Sequence, residues 1–337
     1  MVTISVCMIV KNEEAVLSRC LDSLKGIADE IVIVDTGSAD KTKEIAARYT
    51  DKIYDFVWID DFAAARNFAF SKATMDYIYS ADADEVLLEE DRRKFLQLKQ
   101  VLLPEIEIVE MIYVNPKDCN MVYNFTKEPR PKLFKRLRQF RWIEPIHETV
   151  ALDPVVYSSD IEIQHRPQAL HSGRDFAAME RVLKKTGTLS DRLFSMYAKE
   201  LFISGEKEDF ATALEWFKKR SFDETIPEEK RRESTCVVAK MYTLEENWED
   251  FLALVLPVVA TGRNVPAELY FMLGMYYEKT DAALATEWYT RAAFEAESYV
   301  SIAYGGAGAL KEVVRLLRKQ GRTEEALSFE KVLQQEA

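Results

Sequence analysis

The stretch Tyr77-Ile78-Tyr79-Ser80-Ala81-Asp82-Ala83-Asp84-Glu85 runs from β-forming residues straight into three carboxylates. Side chains alternate along a strand, so Asp82 and Asp84 leave the chain on the same side if the extended conformation persists. Two carboxylates side by side repel, and burying them unpaired is costly. A divalent cation between them would resolve the conflict. Mg²⁺ and Mn²⁺ take one or two protein carboxylates and complete their shell with water and phosphate oxygens. The other reading is a strand that ends in an exposed acidic turn. The residues upstream weigh between the two.

Val2 to Val10 is a continuous apolar run, as expected of a strand covered on both faces. Lys11-Asn12-Glu13-Glu14 then opens a helix with Leu17, Leu21 and Leu24 at helical spacing, ending near Gly26. A second buried strand, Glu30 to Val34, meets Asp35-Thr36-Gly37-Ser38-Ala39-Asp40. Lys41 to Tyr49 reads as a helix, Lys52 to Val57 as a strand, and Ala63 to Ala73 as a helix leading into the acidic stretch. Strands alternating with helices over short connections predict right-handed βαβ units and an open, largely parallel sheet. Ligands of such sheets bind beyond the carboxyl ends of the strands, where Asn12, Asp35 and Asp82 all fall.

Beyond the triplet, Glu89 to Leu102 reads as an amphipathic helix, and Ile106 to Asn115 and Lys132 to Arg136 as neighbouring strands. Asp118 to Pro131 between them is polar and irregular, and is expected to be a loop on the acceptor side. All three histidines, His147, His165 and His171, follow this half. His165 ends a predicted strand with Ile161 and Ile163 on its face, and His171 reads as a surface residue.

Composition sets outer bounds. A net charge of −12 gives no basic field to attract nucleic acid. Cys7, Cys20, Cys119 and Cys236 have no ligand-like spacing and read as reduced thiols of a cytoplasmic protein. The N-terminal apolar run lacks a basic segment and a cleavage site. The later run Phe251 to Ala260, interrupted by Pro257, is too short to span a bilayer.

From about Phe176 the pattern is all-helical. Tyr270, Leu273-Gly274 and Tyr277, followed by Ala285, Tyr289 and Ala292, match the tetratricopeptide consensus apart from a one-residue shortening. Gly321-Arg322-Thr323-Glu324-Glu325-Ala326 marks the turn of a final unit. Residues 1–175 are therefore read as an α/β domain and 176–337 as a helical solenoid whose concave face suits a peptide. A helical bundle that packs on the first domain, or on a twin subunit in a homodimer, is the plainer alternative.

Met8-Ile9-Val10-Lys11-Asn12-Glu13-Glu14, Val34-Asp35-Thr36-Gly37-Ser38 with Asp40, Asp61-Phe62 with Arg66-Asn67, and Asp82-Ala83-Asp84-Glu85 together resemble the ordered motifs of family 2 glycosyltransferases of the GT-A fold. The resemblance covers about the first half of the chain. It implies a UDP-sugar donor, with Val10, Asn12, Glu14, Asp35, Arg66, Asp82 and Ala83 around the nucleotide. It further implies Mn²⁺ or Mg²⁺ held by Asp82, Asp84 and His165. Read from the residues alone, Asp35 could equally cap the turn before Gly37-Ser38, and Arg66 could pair with Asp82 or with a diphosphate.

Ile146-His147-Glu148 is similar to the His-Glu signature of a subset of that family that glycosylates lipopolysaccharide cores or peptides. The usual Glu-Asp source of the base is absent, so Glu148 is the candidate general base and His147 its rival, in apolar surroundings that would tune a carboxylate toward working pH. With fused repeats the chain resembles bacterial peptide and protein glycosyltransferases, including the sublancin-type S-glycosyltransferases. A polypeptide acceptor is expected first, and a cell-surface glycan second. A nucleotidyltransferase would usually carry a Gly-rich loop where Lys11-Asn12-Glu13-Glu14 stands. A binding scaffold built on an inactive transferase fold is the non-enzymatic rival.

Overall fold

The computed structural model describes residues 1–115, 127–150, 153–166 and 172–335. Two compact units divide the chain, Met1–Val182 and Leu183–Ala337.

The first unit follows the order β1 (Ile4–Val10), α1 (Leu17–Ser23), β2 (Glu30–Asp35), α2 (Thr42–Ala46), β3 (Ile53–Asp55), α3 (Phe62–Lys72), β4 (Tyr77–Ala81), β5 (Glu85–Val86) and α4 (Glu89–Val101). It continues through β6 (Ile108–Val114), β7 (Lys127–Lys135), β8 (Trp142–Ile143), β9 (Thr149–Val150) and β10 (Val156–His165). The eight-stranded sheet has the order β3-β2-β1-β4-β7-β6-β10-β5, and β8 pairs with β9 separately. β1, β2, β3 and β4 run parallel, as alternation with helices predicts. β7 enters antiparallel between β4 and β6. β1 is buried along almost its whole length, which explains its unbroken apolar sequence.

The sheet is not open throughout. Ala81 and Glu85 lie four residues apart, a reach of at most about 14 Å. In the sheet their strands are four positions apart, which would be about 19 Å if flat. The far half of the sheet must therefore curl back toward β4. β7 also begins earlier than its apolar residues suggest, so 127–131 of the expected loop are strand. The remainder of that loop (118–126), Cys119 and His171 lie outside the described residues.

The helical part begins with α5 (Ser172–Thr186) and α6 (Asp191–Ser204), followed by α7 (Lys207–Ser221), α8 (Glu228–Leu244) and α9 (Trp248–Ala260). It ends with α10 (Ala267–Tyr277), α11 (Ala282–Phe294), α12 (Gly306–Lys319) and α13 (Thr323–Gln335). Successive helices pack as neighbours, α7 on α8, α10 on α11, and α12 on both α11 and α13. Gly274 explains itself: a Cβ there would sit 2.8 Å from the Tyr289 ring. Small residue and aromatic meet where the paired helices approach. The buried Glu268 carboxylate accepts from the backbone N–H groups of Tyr299, Val300 and Ser301 and so pins the segment before α12. Among the described residues no helix is long and apolar enough to cross a membrane.

Candidate active site

The rim beyond the carboxyl ends of β1, β2 and β4 gathers the polar residues of the first half. Asp35 ends β2 and is 1% exposed. Its Oδ1 accepts from Gly37 N and Ser38 N, both at 2.9 Å, closing the turn. Its Oδ2 is buried without a hydrogen-bond partner. Both sequence readings of Asp35 thus have an oxygen: one caps the turn, the other awaits a donor. A buried carboxylate oxygen left bare costs stability unless a ligand completes it.

Asn12 and Glu14 do something more local. Asn12 Oδ1 accepts from Ala39 N at 2.8 Å, and Glu14 Oε2 from Lys41 N at 3.0 Å. The Val10 carbonyl accepts from Thr36 N at 3.0 Å. These residues knit the loops after β1 and β2 together around Asp35. Asn12 takes a left-handed backbone (φ 58°), which asparagine tolerates better than most residues.

The acidic stretch departs from its expected geometry. Extended backbone ends at Ala81, and Glu85 N donates to Asp82 O at 3.1 Å, closing a tight turn. Period-two placement therefore does not apply, and Asp82 and Asp84 find separate partners. Asp82 Oδ1 accepts from Arg66 Nη2 at 2.9 Å, and its Oδ2 lies 3.6 Å from Lys132 Nζ. Burial opposes the Asp82 charge, but Arg66 and Lys132 outweigh it and hold the carboxyl below the usual range. Asp84 Oδ2 instead faces His165 Nε2 at 3.1 Å. Ala83 between them is buried.

His165 Nδ1 lies 3.2 Å from Asn115 Oδ1. In the tautomer that donates from Nδ1, the Nε2 lone pair points at the Asp84 carboxylate, two acceptors face to face. A cation between them removes the conflict, and an imidazole oriented by a carbonyl-type acceptor is the usual setting of a ligating histidine. Of the three expected metal ligands, the structure brings together Asp84 and His165, while Asp82 is engaged by Arg66 and Lys132. Among the described residues no group of three or more His, Cys, Asp or Glu side chains is assembled for a metal. Two protein ligands suffice for a cation that takes the rest of its shell from water and phosphate.

Arg66 joins this rim to the candidate base. It lies on α3, whose first turn is capped by Asp61 (Ala64 N to Asp61 Oδ1, 2.8 Å). Besides Asp82, it donates to Ser80 Oγ at 3.0 Å and from Nε to Glu148. Its guanidinium lies 5.3 Å from the centre of the Trp142 ring. Glu148 therefore sits against a partly buried cation, not in the apolar surroundings expected of it. His147 adjoins it with a left-handed backbone, φ 50°.

Sequence reasoning missed Lys132 and the roles of Glu85 and Asn67. Lys132 is 5% exposed and donates to Glu85 Oε1 at 2.5 Å and to the Ser80 carbonyl at 3.2 Å. Burial and the neighbouring Asp82 push the Glu85 carboxyl up, against the pull of Lys132. Asn67 pairs its amide with both backbone groups of Trp142, at 2.8 and 2.9 Å. The available signal for Lys132 was its place directly before the apolar pair Leu133-Phe134.

Residues 5–151 match the model of the family described as glycosyl transferase family 2. The chain carries a family 2 glycosyltransferase domain. Relatives agree with that assignment. A TPR repeat-containing protein of Synechococcus elongatus is 36% identical over 44% of this chain and 36% of its own length. A glycosyltransferase of Rickettsia typhi is 28% identical over 65% of this chain and 76% of its own. The glycosyltransferase SunS of Bacillus subtilis is 35% identical over 30% of this chain and 24% of its own. The chain thus spans about a third of the first of these relatives and a quarter of the last. Glucosyl-3-phosphoglycerate synthase of Mycobacterium tuberculosis superimposes on 56% of this chain and 81% of its own, with 15% identity and a TM-score of 0.40.

Proposed function

We propose that the family 2 domain transfers a hexose or N-acetylhexosamine from a UDP-sugar to a polypeptide side chain (Ser, Thr or Cys), with inversion at the anomeric carbon. The observation that carries the nucleotide reading is the bare, buried Asp35 Oδ2 at the carboxyl end of β2. It offers an acceptor for a ribose hydroxyl or a uracil N–H, inside loops that Asn12 and Glu14 hold rigid.

Asp84 and His165 would hold Mn²⁺ or Mg²⁺, which when bound neutralises charge on the departing diphosphate. The chain's own residues do the rest. Arg66 and Lys132 keep Asp82 ionised and oriented beside the turn. Glu148, with His147 as the rival, takes the proton from the acceptor hydroxyl or thiol. The acceptor's electron pair forms the new bond to the anomeric carbon as the bond to the β-phosphate oxygen breaks, and UDP leaves with the electron pair of the broken bond. Arg66, already bonded to Glu148, orients the carboxylate for this task.

In this reading residues 1–175 transfer the sugar and residues 176–337 form the acceptor-guiding array. Support for a polypeptide acceptor is the helical array itself, whose Gly274–Tyr289 packing follows tetratricopeptide logic. The reduced, buried Cys7, Cys20 and Cys236 suit a cytoplasmic setting.

A panel of UDP- and GDP-sugars with Mn²⁺, comparing the wild type with Asp84→Ala, tests the reading. Metal-dependent binding or slow hydrolysis of one donor, lost in the variant, is the expected result. No donor bound by the wild type would leave a scaffold on a transferase fold. A donor that is consumed only with glycan acceptors would replace the polypeptide by the cell-surface alternative.

A further inference from the structure

Lys132 lies on β7, yet its ammonium bonds to groups on two other strands. It donates to the Ser80 carbonyl of β4 at 3.2 Å and to Glu85 Oε1 of β5 at 2.5 Å. In the sheet order β5 is three positions from β7, so only the curl described above brings Glu85 within reach. Lys132 and Glu85 are both almost fully buried, at 5% and 2% exposure. A charge pair so enclosed is held only where its geometry is well satisfied, and breaking it is far more costly than forming it is favourable.

The remaining bonds of Glu85 lead directly into the acidic turn. Glu85 Oε2 accepts from Asp82 N at 3.2 Å, while Glu85 N donates to Asp82 O at 3.1 Å. This reciprocal pair fixes both ends of the turn that contains Ala83 and Asp84. Across the sheet edge, Glu85 is in antiparallel register with His165, and Arg166 N donates to Asp84 O at 2.8 Å. The same short strand thus sets the turn against the histidine that faces Asp84. Lys132 is the only described cation whose nitrogen is bonded to Glu85.

We propose that Lys132, acting through Glu85, is a positioning residue for the diphosphate- and cation-binding turn: it fixes the Asp82–Glu85 backbone so that Asp84 is presented to His165 and Asp82 to Arg66. The inference rests on the nucleotide-sugar reading for its ligand, but not for its geometry. The bonds of Lys132 go to Ser80 and Glu85, within the turn and its strand. Its loss loosens the turn and leaves the Asp35 end of the rim intact.

The test uses the full chain with Lys132→Met, Lys132→Arg and the double variant Lys132→Met/Glu85→Gln. Calorimetry measures UDP with Mn²⁺ and, separately, uridine; hydrogen exchange follows the Asp82 and Glu85 amides. In Lys132→Met, affinity for UDP with Mn²⁺ should fall about tenfold or more. Uridine affinity should hold, the two amides should exchange faster, and Lys132→Arg should recover most of the loss. If Lys132→Met does not fold, the double variant, which removes one buried charge of each sign, takes its place with the same expectations. Unchanged UDP–Mn²⁺ affinity and unchanged exchange overturn the proposal, as does an equal fall for uridine and UDP. If the wild type binds no UDP, the nucleotide-sugar reading fails instead. The exchange of those two amides against the rest of the domain then decides the positioning role alone, faster exchange confined to them supporting it and unchanged exchange overturning it.

Discussion

Strand β2 carries a buried carboxylate at each end, and the two are treated in opposite ways. At its start, Glu30 is completely partnered. Its oxygens accept from Ser5 Oγ, from Lys52 Nζ, and from Thr74 N and Oγ1, each Thr74 bond at 2.8 Å. At its end, Asp35 leaves one oxygen bare. The amino ends of the strands are closed by a satisfied network that serves stability. The carboxyl ends keep an unsatisfied acceptor and an acidic turn. A sheet of this kind separates strength from chemistry along a single strand.

Several substitutions would break or sharpen that contrast. Asp84→Ala should lower donor turnover by about a hundredfold or more, with no matching loss of stability. Steady-state hydrolysis beside a thermal melt measures both. Glu30→Gln should do the reverse, costing about 2–3 kcal/mol in denaturant unfolding while UDP affinity stays at the wild-type level.

Acid should expose the same residue. Burial alone would raise the Glu30 carboxyl, but the bonds from Lys52, Ser5 and Thr74 outweigh it and bring it down to about 2. A carboxyl depressed in the folded state contributes stability that is fully present above its unfolded value of 4.5 and is lost as pH falls toward about 2. Unfolding free energy measured across that window should therefore fall less steeply in Glu30→Gln than in the wild type. Equal slopes would mean that other carboxylates dominate.

Asp35→Asn keeps an oxygen for the Gly37 and Ser38 amides but turns the bare acceptor into a donor. Uridine affinity should drop about tenfold, with stability close to the wild type because one unpartnered buried polar group replaces another. The smallest effect is expected of Asn12→Ala, which removes one bond to the neighbouring loop. Its donor KM should rise about threefold with kcat preserved.

Much of this was legible in the sequence because it depends on short-range order. Apolar runs marked β1 and β2, and loop residues immediately after them had to fall on one rim. Asp35, Asn12 and Asp82 were found that way. The turn at Asp82–Glu85 was not, because a strand pattern gives no warning of the residue at which extension stops. Lys132 was hidden for a different reason. Its partners lie on β4 and β5, and only the curl of the far half of the sheet makes them neighbours. Glu148 was singled out from a short signature, yet its cationic surroundings come from Arg66, on a helix about eighty residues earlier. Local pattern reveals where a side chain starts, not whom it meets.

Helix α3 shows how far such meetings can reach. Phe62 N donates to the Pro145 carbonyl at 2.8 Å, Arg66 bonds to Glu148, and Asn67 grips Trp142 through both of its backbone groups. A primary amide offers the same donor and acceptor as a peptide group, so Asn67 addresses Trp142 as an adjoining strand would. The segment from Trp142 to Glu148, with left-handed backbone at Glu144 and His147, is thereby splinted to an eleven-residue helix. Its stiffness is borrowed. A carboxylate on an irregular loop takes its aim from the helix to which that loop is bonded.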